Sequence, residues 1–243
     1  MYLRLKKNIL KVIPKHLLYR YEYTLRYPYY LKYFGKKHKC NICNRELKSF
    51  VEIENDKLCP SCGSIKRTRR LWEILTDDFL KDNKKILDFS PSRSIYRLLK
   101  KSDNIYISSD LSGDFMADNS FDITKIDSED ENFDLIICYH ILEHVEEDEK
   151  AMSEIWRVLR KNGICIIQTP FKEGDIYENS SITSDEDREK HFGQSDHVRV
   201  YSINGLVSRL ENAGLKVETK SYNEESENSC GFHEKETVLI CHK

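Results

Sequence analysis

Four cysteines stand as Cys40-x-x-Cys43 and Cys59-x-x-Cys62, with fifteen residues between the pairs. Two such turns bring four thiolates within reach of one tetrahedral ion, the donor set of a zinc-ribbon knuckle pair. Asn44 to Leu58 is long enough to run out and back as a small hairpin. Four sulfurs saturate a tetrahedron, so a Zn2+ there is expected to be structural. A second group, His140-x-x-Glu143-His144, directly follows the apolar run Phe133 to Cys138. Its letters match an inverted zinc-peptidase motif, but that motif needs the middle of a helix and this triplet follows a strand. An imidazole suits a general base, which makes His140 a candidate; the structural alternative has Glu143 and His144 capping the next helix. A third group is Asp196-His197-x-Arg199. Its imidazole and forked guanidinium suit an anionic or hydroxylated acceptor, and the alternative is a turn that ties a loop to a sheet.

The elements that must carry these groups alternate. Lys85 to Phe89 reads as an apolar strand containing Asp88, and Ile95 to Lys100 as a helix. Ile105 to Ser109 is a second strand ending at Asp110, with a short strand expected around Phe121 to Ile123. Phe133 to Cys138 has the composition of a fully buried strand. Asp148 to Lys161 is amphipathic, with Ala151, Met152, Ile155, Val158 and Leu159 on one face, and Asn162-Gly163 stops it. Ile164 to Gln168 is the next strand, and residues 172–200 read as a long polar loop. Ser202 to Asn212 is a helix, and Leu215 to Ser221 and Thr237 to His242 are the last strands. Strands spaced by helices predict a mostly parallel, doubly wound α/β sheet. Ligands of such sheets sit at the strands' carboxyl ends, where an acid ending the second strand takes ribose hydroxyls. Asp110 stands there, and its alternative is a solvated carboxylate.

The run Phe133-Asp-Leu-Ile-Ile-Cys-Tyr-His-Ile-Leu-Glu-His-Val resembles the fourth strand and following turn of class I S-adenosylmethionine-dependent methyltransferases. The continuation Ala151-Met-Ser-Glu-Ile-Trp-Arg-Val-Leu-Arg-Lys-Asn-Gly-Ile-Cys-Ile-Ile-Gln-Thr-Pro is similar to the same family. His191-Phe-Gly-Gln-Ser-Asp-His-Val-Arg-Val-Tyr and Cys59-Pro-Ser-Cys-Gly-Ser-Ile-Lys-Arg-Thr-Arg-Arg resemble a subgroup that carries a cysteine module. The resemblance spans about residues 38–242. It implies a Rossmann-like sheet of strand order 3-2-1-4-5-7-6, its last strand antiparallel, beside a small N-terminal zinc-binding module. It implies S-adenosylmethionine as cofactor, with Asp88 near its methionine end, Asp110 on the ribose and Asp122 beside the adenine amine. Ser90, Leu111, Ile123 and Tyr139 are the neighbouring positions of that site. His140, His144, His197 and Arg199 are the candidates for handling the acceptor. Some O-methyltransferases with a similar Glu-His turn hold a divalent metal there, which polarises an acceptor hydroxyl. One departure stands out. The loop Asp88-Phe-Ser-Pro-Ser-Arg-Ser lacks the family's glycines. A catalytically inactive, zinc-binding scaffold is therefore the rival reading, expected to show Ser92 or Arg93 filling the place of the methionine tail.

Three divisions are expected: a basic, Tyr-rich segment 1–36, the cysteine module 37–66, and a methyltransferase-like domain 67–243 with its linking helix. Residues 1–39 hold eleven Lys or Arg against one acid, Glu22, while the whole chain of 243 residues has a formal charge of only -2. Total charge therefore says little about partners, and its distribution says more. Ile9, Leu10, Val12, Ile13, Leu17 and Leu18 could line one helix face in that segment. Packing on the rest of the chain, docking on an anionic membrane surface and stacking of tyrosines on nucleic acid all stay open for it. Lys66, Arg67, Arg69 and Arg70 beside the cysteines keep an RNA methyltransferase in view; the subgroup resemblance implies a sugar or glycan-linked small molecule as the favoured acceptor. No apolar run reaches the ~18–20 residues of a membrane span, and no signal-peptide core is present. A cytoplasmic location follows as the expectation, with Cys138 and Cys165 acting as small buried hydrophobes.

Overall fold

A computed structural model describes residues 17, 19, 21–81, 83–224 and 228–243. Half of the basic N-terminal segment 1–36, including Ile9 to Ile13, lies outside the described residues. The chain divides into two compact units: 1–78 with 92–97 and 223–234, and 79–91 with 98–222 and 235–243.

The first unit begins with α1 (Glu22–Leu31). Two short hairpins follow, β1 (Phe34–Lys39) with β2 (Glu46–Leu47) and β3 (Val51–Ile53) with β4 (Asp56–Leu58). α2 (Lys66–Ile74) comes next and runs into a wider helical turn, Leu75–Phe79. Two of the three arginines of α2, Arg69 and Arg70, are buried. Arg69 is 0% exposed and donates to the carbonyls of Lys57, Ser64, Cys230 and Gly231. Its guanidinium also lies over Phe50, 4.1 Å from the ring centre. Arg70 pairs with Glu73 and Glu224 and covers Phe232. Glu22, the lone acid of the basic stretch, accepts from Arg26, Arg93 and Arg97. Burial works to raise its pKa, but the hydrogen bonds and charges of these guanidinia, Arg93 foremost, hold it at about 2.

The second unit is a six-stranded mixed sheet. Its strands are β5 (Lys85–Phe89), β6 (Ile105–Ser109), β7 (Phe133–Tyr139), β8 (Leu159–Gln168), β11 (Lys216–Asn223) and β12 (Lys235–His242), in the order β11-β12-β8-β7-β5-β6. β5, β6, β7 and β8 run parallel, and β12 pairs antiparallel with β8. This is the expected order with the strand expected around 121–123 missing. In its place Asn119 makes a single parallel bridge to Ser109. Asp122 then accepts from the backbone N–H and hydroxyl of Thr124, an Asx turn that competes with strand extension.

Leu87, Ile136, Cys138, Cys165 and Ile167 lie in one core with Ala151, Met152, Ile155 and Val158 of α4 (Asp148–Val158) and Leu206 and Leu210 of α6 (Ile203–Asn212). The alternate residues Ile86, Leu135, Ile137, Ile166 and Ile240 point to the other face and are equally buried. That explains the unbroken apolar runs of the sequence. α4 stops three residues before the expected end. Its last carbonyls, on Arg157 and Val158, accept from the N–H groups of Glu131 and Asn132 and so leave the helical ladder. The expected loop 172–200 is not structureless. It contains β9 (Tyr177–Glu178), α5 (Asp185–Phe192) and β10 (Arg199–Val200). α5 is polar all round and gives no apolar period, but Ser184 caps its start and Gly193, at φ 90°, closes its end.

Candidate functional site

β5 and β6 end side by side, with Phe89 in register with Ser109. The next residue of each strand carries the chemistry. Ser90 turns the chain at φ 47°, the left-handed region that glycine enters freely and other residues enter at a cost of roughly 1 kcal/mol. Its N–H donates to the Ser109 carbonyl at 2.7 Å and its hydroxyl to Asp110 at 2.8 Å. Ser90 thus adopts the backbone shape that the expected glycine would supply. Asp110 also accepts from the Ser112 hydroxyl and the Phe115 N–H. Burial works against its charge, but these donors outweigh burial and hold the carboxyl below its usual range. Ser112 and Phe115 were not among the expected site residues. The only trace of Ser112 in the sequence is its place two residues after the strand-ending acid.

The other expected cofactor positions are placed differently from one another. Asp88 lies inside the sheet, 2% exposed, and accepts from the Tyr106 hydroxyl at 2.9 Å. Burial pushes its carboxyl up to about 7 despite that bond. Leu111 is 65% exposed, while Ile123 packs in the core. Asp122 is an exposed turn residue with its Oδ1 held by Thr124. Tyr139 ends β7, half-buried. Ser92 and Arg93 belong to the first unit. Ser92 Oγ lies 3.4 Å from the Ile95 N–H at the start of α3 (Arg93–Leu99), and Arg93 pairs with Glu22. For a nucleoside cofactor the donor set fits: a carboxylate just past the end of β6, a left-handed turn at Ser90 beside it, and the hydroxyls of Ser90 and Ser112 on its oxygens.

At the end of β7, His140 takes φ 56° and its N–H donates to the Gln168 carbonyl. The turn Leu142–His144 follows, and α4 starts four residues further on without any side chain of the turn capping it. Glu143 is therefore not a cap. It is 1% exposed, with His140 Nδ1 3.1 Å from its Oε1. The segment after α5 folds over this turn. The Val198 N–H donates to the Glu143 carbonyl at 2.9 Å. Arg199 spreads its fork over the carbonyls of Leu142, Val145 and Glu146 and over the Glu178 carboxylate. At 5% exposure Arg199 is a clasp, its donors spent on the protein rather than presented to an acceptor. Asp148, Tyr201 and Arg209 complete the network; Asp148 accepts from both of the others. None of the three stood out in the sequence, because an acid, a tyrosine and an arginine spaced over 62 positions form no local pattern. The clasp lays His197, 3% exposed, edge-on against His144, with ring centres 4.7 Å apart.

In the first unit, Cys40, Cys43, Cys59 and Cys62 have their sulfurs within 4.8 Å of one another. Each knuckle closes alike. The Asn44 N–H donates to the Cys40 carbonyl and the Gly63 N–H to the Cys59 carbonyl, and both residues take positive φ. The sulfur contacts of 3.7 Å, Cys40 to Cys62 and Cys43 to Cys59, are far longer than a disulfide. They match the ~3.8 Å edge of a tetrahedron with metal–sulfur bonds of ~2.3 Å.

Comparison with known proteins bears on the second unit. The family described as "Methyltransferase domain" matches residues 114–167. No curated protein sequence matches the chain. Among solved structures, a SAM-dependent methyltransferase from Archaeoglobus fulgidus aligns over 73% of this chain and 93% of its own, with TM-score 0.53 and 16% identity. A methyltransferase from Haloferax volcanii, solved with a methyltransferase activator, aligns over 71% and 89%, with TM-score 0.51 and 13% identity. A phosphoethanolamine N-methyltransferase from Haemonchus contortus aligns over 72% of this chain and 52% of its own, with TM-score 0.51 and 12% identity. At these identities the structures establish the shared fold, and the matched segment contains the β7 strand and Glu-His turn on which the sequence resemblance rested. The chain thus combines a segment that matches a methyltransferase-domain family, on a fold shared with class I S-adenosylmethionine-dependent methyltransferases, with a cluster of four cysteines.

Proposed function

We propose that this methyltransferase moves the methyl of S-adenosylmethionine to an oxygen or nitrogen of a small-molecule acceptor, a sugar or glycan-linked compound by the sequence resemblance. The observation that carries the site is Asp110, held at the end of β6 by the left-handed turn at Ser90. Asp110 would take the ribose hydroxyls, with Ser90 and Ser112 rotating away from its oxygens. Bound S-adenosylmethionine supplies a methyl on a positively charged sulfur, open to in-line displacement. Such a displacement asks the protein chiefly for alignment. We assign His140, which follows the end of β7, to take up the acceptor's proton and His144 to orient the acceptor.

One rival loses support. A nucleic-acid reading needed a continuous basic face through α2, but Arg69 and Arg70 are buried and committed to other groups. For the cysteine cluster we propose a structural Zn2+, supported by the tetrahedral sulfur spacing. Among the described residues no helix is long and apolar enough to cross a membrane.

Titration calorimetry with S-adenosylmethionine tests the cofactor reading. Asp110→Ala should weaken binding about 10- to 100-fold, the value of one or two hydrogen bonds to a charged acceptor. A folded, zinc-loaded parent that binds no S-adenosylmethionine sinks the proposal. An Asp110→Ala variant that binds as the parent does would place the ribose elsewhere.

A further inference from the structure

We propose a second metal site: a divalent transition-metal ion held by Glu143, His144 and His197, one ligand atom from each. It rests on the proposed function only for its use, not for its existence. The three ligand atoms lie within 4.8 Å of one another. Around an ion with bonds of ~2.0–2.2 Å they would lie ~3–4 Å apart, a closure reached by small side-chain rotations.

The polar bookkeeping of the site asks for a cation. Glu143 is 1% exposed and neither of its oxygens accepts a well-formed hydrogen bond; the nearest charge partner is the His140 Nδ1. His197 is 3% exposed, and its Nε2 is buried without a partner. A buried carboxylate and a buried ring nitrogen left open to the same small space each cost free energy unless something satisfies both. A metal ion accepts lone pairs from both at once.

The outer contacts fix the rings for the task. His197 Nδ1 lies 3.2 Å from the Phe192 carbonyl, so it carries the hydrogen and leaves the Nε2 lone pair facing inward. His144 Nδ1 lies 3.3 Å from the Asp196 carbonyl and 3.2 Å from its carboxylate, which sets the same tautomer. Imidazoles that give one N–H to a carbonyl or carboxylate and offer the other nitrogen are the usual outer arrangement of metal-bound histidines. The Val198 bond to the Glu143 carbonyl and the Arg199 clasp hold the two parts of the site together. Two imidazoles and one carboxylate favour a first-row transition ion over magnesium or calcium, and three protein ligands leave coordination positions free. Those positions suit an acceptor's oxygens. A hydroxyl bound there would give up its proton more readily, to His140 on the proposed function. Its oxygen pair can then form the bond to the methyl carbon as the carbon–sulfur bond breaks and returns its pair to sulfur.

The test uses the full chain with the cysteine cluster first filled with zinc. Mn2+ alone is titrated in, followed by calorimetry and by the electron paramagnetic resonance of free Mn2+. One further equivalent should bind. Glu143→Gln, close to isosteric, and His144→Ala, at the more exposed ligand, should each weaken it at least ~10-fold. Circular dichroism confirms that both variants are folded, and Co2+ in place of Mn2+ should show no thiolate charge-transfer band for this equivalent. No extra equivalent on a folded parent, or equal binding by both variants, overturns the site. Loss of S-adenosylmethionine binding in a parallel titration would count against the proposed function and leave the metal result standing.

Discussion

Arg199→Ala is the sharpest test of how the second unit builds its site. The guanidinium donates to three main-chain carbonyls, those of Leu142, Val145 and Glu146, and to Glu178. Truncation strands the three carbonyls in a buried turn, at about 1 kcal/mol each at the low end of the range for unsatisfied groups. The Glu178 pair adds little, because that side chain is 39% exposed and solvent screens it. Asp148 keeps Arg209 and Tyr201, so no bare buried charge is created and the larger penalty for a broken buried pair does not apply. The expected cost is about 3 kcal/mol, felt locally. Amide hydrogen exchange on peptides covering 142–148 and 194–202 should show protection falling by about two powers of ten. The remote strand β6 should not change. Arg199→Lys, which keeps a charge but not the fork, should recover less than half of the loss. If protection in both peptides stays within about threefold of the parent, Arg199 is not a clasp. Its role as an acceptor-facing donor would then return.

Other consequences are equally concrete. Asp88 has a folded pKa of about 7 against an ordinary value of 3.8, so the folded chain holds a proton that the unfolded chain releases between those values. Stability should therefore fall as pH rises through that window, and Asp88→Asn should gain stability over the parent at pH 8 but not at pH 4 in urea melts. Glu22 behaves oppositely. With its pKa held at about 2 rather than 4.5, its contribution is full above 4.5 and is lost as pH falls towards 2. Glu22→Gln should flatten that acid limb, removing about 3 kcal/mol from the first unit at neutral pH; an unchanged acid profile would rule out the three-arginine cage. Stripping the cysteine cluster with a chelator should release one zinc per chain and unprotect 37–66 to exchange, because closed thiolate sites carry folding energy. Strands β5 to β8 should keep their protection, and a chelated chain with an unaltered exchange pattern would argue against metal at the cysteines.

Local pattern determined much of this protein by itself. The paired Cys-x-x-Cys turns foretold a four-sulfur cluster, because each turn fixes its own two thiolates and fifteen residues suffice to bring the turns together. Apolar runs bounded by polar breaks placed β5, β6, β7, β12, α4 and α6 to within about three residues, since burial on both faces writes a continuous signal along the chain, while only the second half of β8 was foreseen and its first half, Leu159 to Gly163, was assigned to the helix and its stop. The position of Asp110 was legible for the same reason: it directly follows the strand Ile105–Ser109. What depended on closure across long separations was invisible. Arg69 and Arg70 read as a basic helix start, yet residues 223–234, more than 150 positions away, supply the carbonyls and carboxylate that bury them. The third strand failed because an Asx turn at Asp122 captured its backbone, and α5 escaped notice because capping rather than apolar period defines it. His197 met Glu143 and His144 only through the Arg199 clasp. Periodicity reports which face of an element is buried. Only the packed chain decides which distant side chains share the space beneath it, because that choice is made by satisfying buried polar groups wherever their partners lie.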